Sequence, residues 1–180
     1  MAIPPRALCA TLLLAAGVAQ ATELGLKPGL WATATRVVLN DTPVPTVFDG
    51  THPAGAAHRA ELAAVMKQFG LPAGWQPGMA CQKTASYALP ALDPLKGCTA
   101  QVTAQGQHEG LLQVVCEGQT TAKGSGTVSV TAGDTATTRL SVQGQAQGKP
   151  LKLEVHTEAK WLGPRCDQAP QGIDPSWLPS

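Results

Sequence analysis

The residues in this chain best suited to chemistry are four cysteines, Cys81, Cys98, Cys116 and Cys166. Thiolates in close pairs hold zinc, and C-x-x-C pairs exchange disulfides. Neither spacing occurs here, since the closest two, Cys81 and Cys98, are far apart in sequence. An even set of widely spaced cysteines in an exported chain points instead to two disulfides. A fifth, Cys9, follows Arg6-Ala7-Leu8, which lacks the small residue that lipoprotein processing requires, and it reads as apolar filler.

The other reactive residues fall short of a catalytic set. His108-Glu109 lacks the second histidine of an H-E-x-x-H zinc helix. Ser125 is flanked directly by Gly124 and Gly126, whereas a nucleophile elbow needs G-x-S-x-G between strand and helix. His52 and His58 straddle Pro53 and Gly55, a poor helical pair. No phosphate-cradling glycine motif and no carboxylate pair at catalytic spacing occurs. A hydrolase would have to assemble His108, His156 or Ser125 with an acid through the fold. No catalytic residue, metal site or cofactor is therefore assigned. Asn40-Asp41-Thr42 matches a glycosylation acceptor in a host that uses one.

The N-terminus sets the expected compartment. "MAIPPRALCATLLLAAGVAQATE" has one base, an apolar run from Ala7 to Ala19, and the small-x-small triplet Ala19-Gln20-Ala21. This is a secretory leader over residues 1–21, too short an apolar run to span a bilayer. Its removal takes Arg6 and no acid, so 13 Lys and Arg become 12 against 12 Asp and Glu. Balanced, scattered charge argues against nucleic acid or an anionic membrane as partner. No later stretch reaches membrane-spanning length. Residues 22–166 read as one mainly-β domain and 167–180 as a Pro-rich tail.

Strand and turn signals dominate that domain. "GLWATATRVVLN" places Trp31, Thr33, Thr35, Val37 and Leu39 on one face of a first strand, ended by "NDTP". Pro45 breaks the stretch after it. Leu62, Val65, Met66 and Phe69 then fall at helical spacing and form one apolar stripe, stopped by Gly70 and Pro72. "PAGWQPGMACQKTASYALPALDPLKG" reads as a long loop pinned by Cys81. Two hairpins follow, Cys98–Ala104 with Gly110–Glu117, and 124–131 with 135–143 around Ala132-Gly133-Asp134. In the last strand Leu151, Leu153 and Val155 alternate with Lys152, Glu154 and His156, the pattern of an antiparallel strand with one wet face.

Placing Cys98 opposite Cys116 centres the first hairpin on Gln107. That register also sets Ala100 against Val114 and Val102 against Leu112, all on one face. A disulfide there staples the hairpin mouth and is worth about 3 kcal/mol. Cys81 and Cys166 are then left to pair and tie the long loop to the end of the last strand. Four cysteines allow two other connectivities, which stay open at this point. Trp75 lies shortly before Cys81 and Trp161 shortly before Cys166. With Trp31 they are candidates either for capping a core poor in aromatics or for the mouth of a pocket taking a small apolar ligand.

In order along the chain, "LKPGLW", a helix ending in "FGLP", a cysteine-bounded hairpin, "GSGTVSV" and "WLGPRC" resemble the family labelled domain of unknown function 3617. The resemblance covers roughly Leu24 to Cys166, with "KPGLW" and the four cysteines its most specific parts. It implies a periplasmic, Gram-negative setting and brings no established activity. The chain departs from the family pattern in two places. "NDTPVPTVFDG" stands where relatives often carry a Met-Pro-rich stretch, and Gln82-Lys83 where Leu-Thr commonly follows the first cysteine.

These readings converge on an α+β domain: a mainly antiparallel, curved sheet of five to seven strands, one amphipathic helix and two disulfides. The expected role is a non-catalytic periplasmic binding or envelope-associated module, for a small apolar ligand or an envelope protein. A protein-binding inhibitor or accessory factor is the alternative, and a hydrolase comes third.

Overall fold

The computed structural model describes residues 24–45, 64, 66–84 and 97–168. The expected leader, His52, His58, Leu62 and Val65 of the expected helical stripe, and the residues from 169 onward lie outside them. Among the described residues eight strands form one antiparallel sheet. They are β1 (Gly29–Leu39), β2 (Thr42–Pro43), β3 (Gln76–Gln82), β4 (Cys98–Ala104), β5 (Glu109–Cys116), β6 (Thr120–Thr131), β7 (Thr135–Ala146) and β8 (Lys149–Gly163).

The strand order is β2-β1-β8-β7-β6-β5-β4, and β3 also pairs with β1. Strands β4 to β8 thus form a meander of neighbours, and the first strand closes onto the last. Two of the turns have the same physical cause. Asn40 and Asp41 take φ of 48° and 62°, and Gln147 and Gly148 take 51° and 74°. Two successive positive φ values make the tight turn that matches strand twist, and Asn, Asp and Gly tolerate them best. The Asn40 side chain is also engaged, accepting from the Lys152 amide at 2.8 Å and donating to the Pro150 carbonyl at 3.3 Å.

The strand count exceeds the expected five to seven. β2 is a two-residue extension of the first turn, but β3 lies inside the stretch expected to be loop. Pro77 and Gly78 hid it. Pro77 pairs with Ala34 on a strand that, among the described residues, has a strand neighbour on one side alone, the edge position where proline is tolerated. Gly78 sits opposite Thr33, where a Cβ would lie 2.8 Å from the threonine Oγ1, so the position favours glycine. Of the expected helix, residues 66–68 are helical and end in a turn at Phe69-Gly70.

The first hairpin takes the expected register, with Cys98 opposite Cys116, Ala100 opposite Val114 and Val102 opposite Leu112. Both disulfides pair as expected, Cys98 with Cys116 and Cys81 with Cys166. The hairpin bridge draws its Cα atoms to 3.9 Å, closer than the ~4.5–5.5 Å of ordinary cross-strand partners. Cys81 and Cys166 stand 5.5 Å apart and join β3 to the segment leaving β8.

One sheet face is mainly apolar, with Thr138 and Thr157 buried in it and Thr157 sharing a hydrogen bond with Thr35 at 3.0 Å. Leu112, Val114, Leu140, Val142, Leu151 and Leu153 pack together at one end. Leu24, Leu26, Trp31, Val128, Val130 and Ala136 do so at the other. Gly124 and Gly126 share this face with them. A Cβ on Gly124 would lie 2.6 Å from Val142 Cγ2, and one on Gly126 would press on the Arg139 carbonyl oxygen and lie 2.8 Å from Leu140 Cα. These are positions where only hydrogen fits. The opposite face is wet except near β1, where Ala32 and Ala34 are covered by Met66, Leu71, Phe69, Trp75 and Leu162. The first half of β1 is therefore buried on both sides, which is why "GLWATA" shows little alternation.

Candidate functional site

The wet face carries one feature that packing does not explain. Arg36 of β1, His156 of β8 and Arg139 of β7 are direct cross-strand partners, and Thr127 of β6 continues the row. Strands are ~4.8 Å apart, so the two arginines leave backbone about 10 Å apart with the imidazole between them. The next row along is Val38, Glu154, Ser141 and Ser125. Together the two rows line an open groove of about 450 Å³. A second, of about 310 Å³, shares Ser125 and Ser141 and adds Lys123 and Gln143.

The charges around the groove are unequal. Glu154 is held by Lys152 at 3.3 Å, and Lys152 also holds Asp41 at 2.7 Å. Glu158 lies 3.9 Å from His156 Nε2. Among the described residues neither Arg36 nor Arg139 is in an ion pair, and both are exposed. The groove therefore holds two arginines that no carboxylate among the described residues contacts.

His156 is the most perturbed group of the site. Its Nε2 is buried without a hydrogen-bond partner, and Trp75 stands edge-on to the ring with centroids 4.7 Å apart. Burial pushes the imidazole pKa below its ordinary value. The Arg139 charge lowers it further, Glu158 pulls it back, and Arg36 adds a smaller downward push. At neutral pH this ring is uncharged and can accept or donate one hydrogen bond at Nε2 according to its tautomer.

The three tryptophans expected at a pocket mouth do not form one. Trp31 is 2% exposed and packs with Trp161 on the apolar side. Their indole nitrogens donate to the carbonyls of Lys27 and Pro28, each at 3.0 Å. Lys27 lies over the Trp161 ring, 5.3 Å from its centroid. "KPGLW" is thus a clamp: its own carbonyls receive both indoles, and Gly29 runs so close to Gly163 and Pro164 that a side chain would collide. Trp75 alone reaches the polar side, against His156. The second disulfide does not bring Trp75 and Trp161 together, because they pack on opposite faces.

Of the residues weighed for hydrolysis, Ser125 and His156 line the same groove but are separated by β7. The orphaned Nε2 shows that no serine activates against it at that nitrogen. His108 is in the turn between β4 and β5, away from both, and its carbonyl accepts from Val130 at 2.7 Å. All four of Cys81, Cys98, Cys116 and Cys166 are consumed in disulfides. Sequence reasoning missed Arg36 and Arg139. The signal available was one base per wet face, in "TATRVV", "TTRL" and "EVHTE"; strand pairing was needed to align them.

A family model described as "Protein of unknown function (DUF3617)" matches residues 26–166. No curated protein and no solved structure matches the chain.

Proposed function

The chain belongs to the DUF3617 family of proteins of unknown function, and on that premise we propose that it is an exported, periplasmic binding module without catalytic activity. The observation that carries this reading is the groove on the wet face, where Arg36 and Arg139 flank His156 in one cross-strand row and, among the described residues, neither arginine meets a carboxylate. Small-molecule sites combine a concavity with a few convergent polar groups, one of them with a perturbed pKa. The leader at residues 1–21 and the two disulfides support an oxidising compartment. An apolar ligand fits less well, because Trp31 and Trp161 are committed to the backbone of the clamp.

The finer shape of the domain belongs to the same proposal. The sheet is curved toward its apolar face, since the glycines at 124 and 126 let neighbouring backbones close in there. One amphipathic helix lies over β1, its described end contributing Met66.

Protein purified from its own periplasm and examined by native mass spectrometry tests the reading. A co-purifying small molecule is the expected result. A protein partner in its place would favour an inhibitor or accessory factor. The observation supporting that alternative is β4, which among the described residues ends the strand order, the position at which a partner strand could add.

A further inference from the structure

We infer that the groove on the wet face is a phosphoryl-binding site, with Arg36 and Arg139 clamping the anion over His156. This deepens the binding-module reading and rests on it. Donor count selects the ligand class. One guanidinium satisfies a carboxylate in a two-bond fork. Here two arginines leave the strands on either side of His156, and the hydroxyl-bearing Ser125, Thr127 and Ser141 line the same groove. Such a set exceeds what two carboxylate oxygens accept and matches the terminal oxygens of a phosphate monoester. Arginine is the residue that planar, multi-bond recognition of phosphate uses.

The electrostatics agree. The acids facing the groove are Glu154, which shares the single charge of Lys152 with Asp41, and Glu158 beside His156. Lys123 adds positive charge from the adjoining groove. A dianion seated between the arginines would offset their effect on the imidazole and give the partnerless Nε2 an acceptor once protonated. The site is open rather than enclosed, so a headgroup could reach it as well as a free ester.

The test is a titration of full mature protein with inorganic phosphate and with glycerol 3-phosphate, following the His156 ring protons by NMR. A saturable shift is expected. Arg36→Gln and Arg139→Gln should each weaken it about tenfold, and Lys149→Gln, at the exposed start of β8, should leave it unchanged. Arg36 and Arg139 are exposed, so both variants will fold. Flotation with phosphatidic acid vesicles, set against phosphatidylcholine, assigns the source. Arginine-dependent flotation identifies a lipid headgroup, and its absence with a saturable soluble shift identifies a free ester. A shift that never saturates, equal weakening by Lys149→Gln, or tighter binding of succinate than of either phosphate overturns the proposal. If native mass spectrometry then finds a neutral ligand, the phosphoryl assignment alone fails; if it finds none, the binding-module reading fails with it.

Discussion

Trp31 and Trp161 are cross-strand partners on β1 and β8 whose indoles donate to consecutive carbonyls, those of Lys27 and Pro28. The peptide entering the sheet is thereby held by the same strand pair it leads into. Trp31 is buried and its bond to Lys27 is partly shielded, whereas the Trp161 bond is exposed. Trp31→Phe should cost about 2 kcal/mol, from a lost bond and lost volume in the core. Trp161→Phe should cost about 1 kcal/mol. Urea unfolding of the two variants checks the order; equal losses would mean that the clamp does not depend on burial.

Glycine positions of similar appearance in the sequence should differ sharply. Gly126→Ala drives a methyl into the Arg139 carbonyl and Leu140 Cα of the next strand. Backbone cannot yield as a side chain does, so a loss of about 3 kcal/mol is expected. Gly163→Ala meets nothing within 4 Å and has no positive φ. Its effect should stay within about 0.5 kcal/mol. Thermal melts of the pair give the comparison, and a tolerated Gly126→Ala would contradict the close strand approach on the apolar face.

The two disulfides should stabilise unequally. In the chain-entropy model the gain rises with the loop closed, and the separations are 18 residues for Cys98–Cys116 and 85 for Cys81–Cys166. Removing the hairpin bridge with paired alanines should cost about 3 kcal/mol, and removing the longer one about 4.5 kcal/mol. Denaturant midpoints of the two double variants test the order. A larger loss from the hairpin pair would show that the long bridge constrains little in the unfolded chain.

What could be read from sequence follows from which forces act locally. The Cys98–Cys116 hairpin was legible to the residue because a two-residue period and a short turn fix register together. The wet and dry faces of β8 were legible for the same reason. β3 was not, since Pro77 and Gly78 carry the composition of a loop and only the β1 edge makes a strand of them. The Arg36–His156–Arg139 row was out of reach because it depends on β1 docking against β8, a pairing between distant segments with no local signal. The tryptophans misled in the opposite sense. Nearness of Trp75 and Trp161 to bonded cysteines says nothing about which face each takes.

Acidification should destabilise the fold through His156. In the unfolded chain this imidazole takes a proton near its ordinary 6.5, while in the fold it resists protonation until lower pH. Between those two values the unfolded state binds more protons, so its population grows as pH falls. The contribution of His156 is fully present above 6.5 and is lost as pH drops through the folded value. Asp134 and Asp167, whose pKa values are lowered from 3.8 by Thr135 and by Arg165 respectively, act only at much lower pH. Melting temperature should therefore decline from neutral pH toward about 5, and His156→Gln should flatten that decline. NMR titration supplies the residue-level check. The His156 midpoint should lie below 6.5 and move up in Arg139→Gln more than in Arg36→Gln, because Arg139 exerts the larger downward push. A midpoint at or above 6.5 in the wild type would mean that Glu158, rather than burial and the arginines, governs the ring.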